Sequence, residues 1–507
     1  MKYILGIDLG TSGTKTVLFS QTGEAVASET VEYPLYQPQN GWAEQEPQDW
    51  WNAALATIKS VVKNGNVPQE DIVGLGISGQ MHGLVMLGEN NEVLRPSIIW
   101  CDQRTAKECD EITERVGKER LIEITANPAL TGFTASKILW VRNNQPEIYK
   151  KCRKILLPKD YLRYMLTGVF ATEVSDAAGM QLLDIKNRCW SDEVLEKLEI
   201  DKDLLADCYE SVQVTGNITK EIAGLTGLSE NTIVVGGAGD NAAAAIGTGV
   251  VADNKAFTTI GTSGVVYAHT SKMAIDKSGR VHTFCSAVPG EWLVMGVTQG
   301  AGLSLKWFRD NFCISEMETA KNMGVDPYYL MDKEAEAVPI GSNKLIYLPY
   351  LMGERTPHLD PDCRGVFFGL SAMHGKMEML RAVMEGVSFS LNDCMGILNG
   401  MDIKINDMNV CGGGGTSKIW RQMLADMYEC PVKTVASKEG PALGVAILAA
   451  VGAGLYKTVQ EACYAIIKTN TEQQPIKENT AEYKKYYPLF KKLYLSLKDD
   501  YKALANI

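Results

Sequence analysis

Residues 8–15 read DLGTSGTK, and the tetrapeptide inside them, Gly10-Thr11-Ser12-Gly13, returns as Gly261-Thr262-Ser263-Gly264 in a chain of 507 residues. Glycine, serine and threonine are common, so chance recurrence is the first explanation to weigh. The flanking residues argue against it. The first copy follows Tyr3-Ile4-Leu5-Gly6-Ile7; the second lies between Ala256-Phe257-Thr258-Thr259-Ile260 and Val265-Val266-Tyr267. Both read as strand, tight turn, strand, the mark of an internal duplication. Glycine-rich turns of this kind can aim several backbone N–H groups at one point, making a nest for phosphate. The Thr11 and Ser12 hydroxyls would add donors. One such turn alone reads best as a ligand-free hairpin. Two, one per duplicated half, read as a two-sided grip on a polyphosphate.

Asp8 stands just before the first turn, and Thr259 holds the matching place in the second. A carboxylate beside a phosphate nest is costly unless a cation bridges them, so Asp8 implies Mg²⁺; the plainer reading is a turn-capping aspartate. Lys15 reads equally as a phosphate ligand or a solvated surface lysine. A third cluster, Gly412-Gly413-Gly414-Gly415-Thr416-Ser417-Lys418, joins the apolar strand around Val410 to a helix from Ile419. Its bare backbone could approach a flat ligand, and the helix N-terminus adds partial positive charge; a flexible loop is the alternative. Asp240 follows a strand and a glycine turn and opens an alanine-rich helix, either as a plain N-cap or as a carboxylate offered at a sheet edge. The small residues around it (Gly236, Gly237, Gly239, Ala242, Ala243) favour close approach of a ligand. Gly79-Gln80-Met81-His82-Gly83 sits at another strand end, where a lone histidine is more often structural than functional. Trp100-x-Asp102-x-Arg104 would place three side chains on one face if extended, a set suited to a polyol; a buried tryptophan beside a surface ion pair is the alternative.

Alternating strands and helices give an α/β architecture. Helical spacing is expected over residues 48–63, 376–398, 418–428 and 441–453. A C-terminal amphipathic helix from Thr480 should dock Tyr487, Phe490, Leu493 and Leu497 on the body. Gly247 and Gly249 allow a hinge between halves. The net charge of −11 argues against a nucleic-acid partner. Twelve scattered cysteines form no C-x-x-C pair, which gives no support to a metal or redox motif. With no secretion signal, they fit a reducing cytosol. Residues 441–455 are too short an apolar run to span a membrane and read as a buried helix. Gly74-Leu75-Gly76-Ile77-Ser78-Gly79 satisfies G-x-G-x-x-G, yet it reads as strand with no helix opening behind it, so the dinucleotide reading fails. Gly375-Lys376 lacks both the spacing and the Ser/Thr of a P-loop. Oligomeric state is not legible, and a homodimer is left open.

Taken together these motifs resemble the FGGY carbohydrate kinases, from Tyr3 to about Ala453. IDLGTSGTK is similar to the family's first phosphate motif, IGTSG at 260 to the second and GGGGTSK at 412 to the adenosine motif. Two longer signatures match as well: Gly132-Phe133-Thr134 through Lys137, Trp140 and Asn143, and Gly365–Leu370 through Glu378 and Arg381 to Glu385. The resemblance implies two duplicated actin-like (ribonuclease H-like) ATPase domains, residues 1–247 and 248–507, with the catalytic cleft between them. It implies ATP held by Gly10, Thr11, Ser12, Lys15, Gly261, Thr262, Ser263, Gly413, Gly414, Gly415 and Ser417. It implies Mg²⁺ oriented by Asp8 beside Asp240, and Asp240 as the base for a sugar hydroxyl. GQMHG resembles the xylulokinase branch. The sugar site is then lined by Met81, His82, Gly83, Trp100, Asp102, Arg104 and Asn241, and the 5-hydroxyl of D-xylulose is the acceptor. Thr416 departs from the smaller residue usual there. Another ketose or polyol (L-xylulose, ribulose) is the competing acceptor, and a sugar sensor without turnover is the reading from a different class.

Overall fold

The computed structural model describes residues 1–507. The first sheet is built on β1 (Tyr3–Leu9), β2 (Gly13–Ser20), β3 (Ala25–Glu32), β4 (Ile72–Gly79), β5 (Val214–Asn217) and β6 (Ile233–Val235), in the order β5-β6-β4-β1-β2-β3. The second uses β7 (Lys255–Ile260), β8 (Gly264–Thr270), β9 (His282–Cys285), β10 (Trp292–Thr298), β11 (Asp407–Cys411), β12 (Val432–Val435) and β13 (Thr469–Gln473), in the order β9-β10-β8-β7-β11-β12-β13. In each sheet the strand before the GTSG turn is central. β1 pairs antiparallel with β2 and parallel with β4; β7 pairs antiparallel with β8 and parallel with β11. The repeated tetrapeptide therefore marks a repeated topology. Central strands are apolar on both faces, as β1 is, because helices cover both sides. The edge strand β3 alternates instead between half-buried and exposed residues.

Six helices matter for the site: α1 (Pro47–Gly65), α2 (Asp240–Gly247), α3 (Lys376–Gly400), α4 (Lys418–Tyr428), α5 (Gly440–Gly452) and α6 (Lys477–Ala505). α5 is apolar nearly all round, with Ala442 to Ala450 buried, and it explains the rejected glycine motif. It comes from the second half of the chain yet lies on the first sheet. A Cβ on Gly6 would collide with the Ala442 carbonyl oxygen, and one on Gly76 with that of Val445. α5 also crosses α2 backbone to backbone: a Cβ on Gly444 would strike the Ala243 carbonyl, and one on Gly247 that of Gly440. The glycines at 74 and 76 are thus a docking groove for a helix.

The other elements follow the spacing closely. α6 buries Phe490 and Leu493 as expected, adds Tyr483, Tyr494 and Tyr501, and leaves Tyr487 and Leu497 half-buried. The short strand Ser97–Ile98 stops before Trp100, and Trp100–Cys101 form a turn, so the Trp100–Arg104 segment is not extended. All twelve cysteines are free thiols, and no helix is long and apolar enough to cross a membrane.

The α2–α5 crossing predicts that Gly444→Ala loses about 3 kcal/mol or more, because backbone must yield to the new methyl. Gly224 lies inside the helix Lys220–Thr226 with open space around it. Gly224→Ala should stabilise by up to about 1 kcal/mol. Urea titration of the two variants checks both signs.

Candidate active site

The two turns face the junction of the halves and are braced differently. In the first, the Gly10 N–H donates to the Gly13 carbonyl at 3.0 Å. The Tyr33 hydroxyl donates to the Gly10 carbonyl, and Gln45 Nε2 donates to the Thr11 carbonyl at 2.7 Å. Thr11 Oγ1 accepts from Trp100 Nε1 at 2.9 Å and donates to Gln80 Oε1 at 3.5 Å. The Thr11 hydroxyl is thereby held from within, and exposed Ser12 forms the tip. In the second turn the Gly261 N–H donates to Ser263 O at 3.0 Å, while the Gly261 and Thr262 carbonyls accept from the N–H groups of Gly302 and Leu303. Those donors open the helix Gly302–Phe312, so this turn lies against a helix N-terminus. Lys15 ion-pairs with Glu439, the residue before α5, and so ties the first turn to the second half.

Asp8 lies level with Ser78 across the β1–β4 pair, and Ser78 Oγ donates to its Oδ1 at 2.9 Å. Asp240 is the first residue of α2; Gly239 holds the N-cap position, so the expected capping role is not met. The Asp240 Oδ1 accepts from the Asn241 N–H (2.7 Å) and its Nδ2 (2.9 Å). No protein donor reaches Oδ2. Gly239, just before it, donates its N–H to Ser175 Oγ at 3.1 Å, which fixes the entry to the helix. Burial, and then the charge of Asp8, push the Asp240 pKa up to about 6. Burial likewise raises Asp8. Two hard oxygen donors that repel each other fit Mg²⁺, which is commonly held by one or two carboxylates with phosphate and water completing the shell.

Beyond Asp240 the wall is Met81 and His82. Gly239 and Gly179 make room for them: a Cβ on Gly239 would lie 2.9 Å from Met81 Cγ, and one on Gly179 would lie 2.5 Å from the His82 ring. His82 has φ 69, in the left-handed region that non-glycine residues rarely adopt. Its carbonyl is clamped by Lys137 Nζ (2.8 Å) and Thr134 Oγ1 (3.1 Å). The strained backbone is thus held by the two signature residues, which sequence reading marked but gave no role. Burial brings the Lys137 pKa down to about 7 and that of His82 to about 3. His82 Nδ1 meets the Gly179 carbonyl at 2.8 Å, so the neutral ring carries its hydrogen there and leaves Nε2 as an acceptor.

Three expected sugar ligands are otherwise engaged. Arg104 is buried, binds Asp102 with Nε at 2.9 Å and Nη2 at 2.7 Å, reaches Glu44 and stacks 3.7 Å from the Trp42 ring centroid. Asp102 also accepts the Ala43 N–H at 2.6 Å. The pair is a buried brace, since the segment turns and does not extend. Gly83 is buried and needed for packing, because a Cβ would strike Pro158. Trp100 is 41% exposed, leaving its ring open to the cleft while its N–H braces Thr11.

In the glycine run, Gly412 takes φ 78, and Cβ atoms on Gly412 and Gly414 would meet Ile260 at the end of β7. These two glycines serve packing. Gly413 has nothing within 4 Å of its would-be Cβ and is the open one, whereas Gly415 is buried. Ser417 caps α4, its hydroxyl accepting the Trp420 N–H at 3.2 Å, so it is not a free ligand.

The raised Asp240 pKa has a stability consequence. The folded chain binds this proton more tightly than the unfolded chain, so the gain is full below the unfolded pKa and is lost as pH rises through about 6. Water in the cleft screens part of the cost. Asp240→Asn should therefore stabilise by roughly 2 kcal/mol at pH 7, with the advantage shrinking toward pH 4. Coincident urea midpoints at pH 7 would contradict this.

Residues 3–247 match the N-terminal domain and residues 256–453 the C-terminal domain of the FGGY family of carbohydrate kinases. A protein named xylulose kinase from Bacillus subtilis is 40% identical over 506 residues, covering 100% of this chain and 99% of that one. A gluconokinase from the same organism is 33% identical over 510 residues, covering 99% and 98%. The crystal structure of ligand-bound xylulose kinase from Lactobacillus acidophilus superposes with TM-score 0.92 at 30% identity, covering 99% of this chain and 100% of that one. The chain belongs to the FGGY family of carbohydrate kinases, with the actin-like fold duplicated in its two halves.

Proposed function

We propose that this kinase transfers the γ-phosphoryl group of ATP to the 5-hydroxyl of D-xylulose, giving D-xylulose 5-phosphate and ADP. Full-length similarity to xylulose kinases at 40% identity supports the substrate. The observation that carries the chemistry is the free Oδ2 of Asp240, placed between Asp8 and the Met81–His82 wall. A carboxylate with pKa about 6 is mostly ionised at neutral pH and basic enough to take a hydroxyl proton. Oδ2 accepts that proton as the sugar oxygen bonds to the γ-phosphorus and the bond to the β–γ bridging oxygen breaks. The two turns, one from residues 1–247 and one from 248–507, hold the phosphates from opposite sides, and Gly413 lies by the adenosine. Asp8, with Asp240 beside it, would hold Mg²⁺, which when bound would neutralise the phosphate charge. Asn241 keeps the unused Asp240 oxygen engaged, and Met81, His82 and the Trp100 ring line the sugar. Closure of the halves excludes water that would compete for the phosphoryl group. The free thiols fit a reducing compartment.

ADP release over D-xylulose, L-xylulose, D-ribulose, glycerol and gluconate tests the substrate. D-xylulose should lead in kcat/KM by about tenfold or more; a lead for glycerol or gluconate, or no sugar-dependent turnover, refutes the reading. Asp240→Ala should abolish turnover and leave nucleotide binding intact. Lys137→Met releases the His82 carbonyl and should raise the sugar KM by about tenfold, with the ATP KM within about twofold. Equal rises in both would remove Lys137 from the sugar wall.

A further inference from the structure

The sugar wall does not end with the first half of the chain. His82 packs 4.8 Å from Phe133 and 6.3 Å from Phe284, ring centroid to ring centroid. Phe284, on β9, stacks on His282 at 5.8 Å, and His282 lies 5.9 Å from Phe133. His282 repeats the device seen in His82. Its Nδ1 meets Asn127 Oδ1 at 2.9 Å, and Asn127 Nδ2 donates to the Thr125 and Thr283 carbonyls, which fixes the amide with its oxygen toward the ring. The neutral imidazole therefore donates from Nδ1 and leaves Nε2 as an acceptor. No protein group meets either Nε2.

Arg355 lies on a loop that Thr356 anchors just before His282. Its neighbours are pinned. Glu354 accepts from the Gln299 N–H (2.7 Å), the Arg355 N–H (2.8 Å) and Ser390 Oγ (3.3 Å). Thr356 Oγ1 accepts from the Val297 N–H (3.0 Å) and donates to the Arg280 carbonyl (2.7 Å), two residues before His282. Glu354 and Thr356 are buried, and Arg355 between them is half-buried. Yet its guanidinium makes no ion pair and no hydrogen bond, although other largely buried cations such as Arg95, Lys159 and Arg381 are all paired. Its charge is felt at both rings, adding to the burial that lowers His82 and His282. A guanidinium cannot shed its proton, so leaving one partly desolvated without an acceptor is costly.

We propose that Arg355 is a substrate-binding residue supplied by the second half, whose guanidinium donates to the carbonyl oxygen at the unreactive end of the ketose while His82 and His282 accept from its hydroxyls. The order of the wall sets the direction. Asp240 adjoins Met81, Met81 adjoins His82, and the aromatic rings lead on to His282 and the Arg355 loop. The sugar then lies with its 5-hydroxyl at Asp240 and its carbonyl end at Arg355. Contact from both halves would make sugar binding favour closure. This rests on the D-xylulose reading above.

The test is steady-state ADP release by wild type, Arg355→Met and Arg355→Lys, with D-xylulose and with D-arabinitol, which has a hydroxyl in place of the carbonyl. Arg355→Met should raise the D-xylulose KM by about 30-fold, the loss expected for a charged hydrogen bond, with the ATP KM within about twofold. The preference for D-xylulose over D-arabinitol should collapse. Arg355→Lys should fall between, and added guanidinium ion should partly restore Arg355→Met. An unchanged ATP KM shows that the variant is folded. A D-xylulose KM within about threefold of wild type, or an ATP KM raised as much as the sugar KM, overturns the proposal and leaves the activity standing. A wild-type enzyme inactive on D-xylulose overturns the substrate reading, and this one with it.

Discussion

The crossing of α2 and α5 is the contact on which the rest depends. Helix meets helix with no side chain between them at Gly247 and Gly444, and α5 meets β1 and β4 the same way at Gly6 and Gly76. Contacts between backbones have no soft rotamers to absorb a shift. The first half, the second half and α5 therefore share one rigid junction. α2 begins at Asp240 and α5 follows Glu439, which pairs with Lys15 behind the first turn. Asp240 and the ion pair that links the first turn to the second half thus lie at the starts of the two helices that cross.

Duplication repeated the frame and not the chemistry. β1 and β7 occupy the same place in the same topology, and each leads into a GTSG turn. The supports differ: Tyr33, Gln45 and Trp100 brace the first turn from side chains, whereas a helix N-terminus backs the second. Asp8 has only Thr259 opposite it, so the carboxylate charge lies at one turn alone. A symmetric pair of acids would repel a triphosphate from both halves, and a pair with none would leave its charge unscreened.

What could be read from the sequence was local and periodic. The helix 418–428 and the start of α3 were legible because apolar spacing and capping signals lie within a few residues. The turns and Asp240 were legible because a glycine run beside an acid has few structural uses. The Trp100–Arg104 segment misled. Period-two spacing assumed an extended chain, and the chain turned because Asp102 accepts the Ala43 N–H and Arg104 finds Trp42, partners more than fifty residues away. Lys137 stood in a recognised signature, yet only coordinates show that its ammonium holds the His82 carbonyl. His282 and Arg355 lie outside every motif, since contacts made between distant parts of the chain leave no spacing to detect.

The charges that remain unbalanced have a common logic. Asp8 and Asp240 are carboxylates whose charges repel each other, and the Arg355 guanidinium makes no ion pair. Elsewhere buried charge is paired, as in Arg104 with Asp102 and Glu44, or Lys159 with Asp160. An unpaired charge in a partly dry cleft costs stability and persists only where the surroundings cannot relax to satisfy it. Here they cannot. Gly239 is tied to Ser175, and Thr356 to Val297 and Arg280, so the backbone that carries Asp240 and Arg355 is fixed. The glycine-packed junction makes that rigidity tolerable, because stability lost in the cleft is offset by apolar burial around α5.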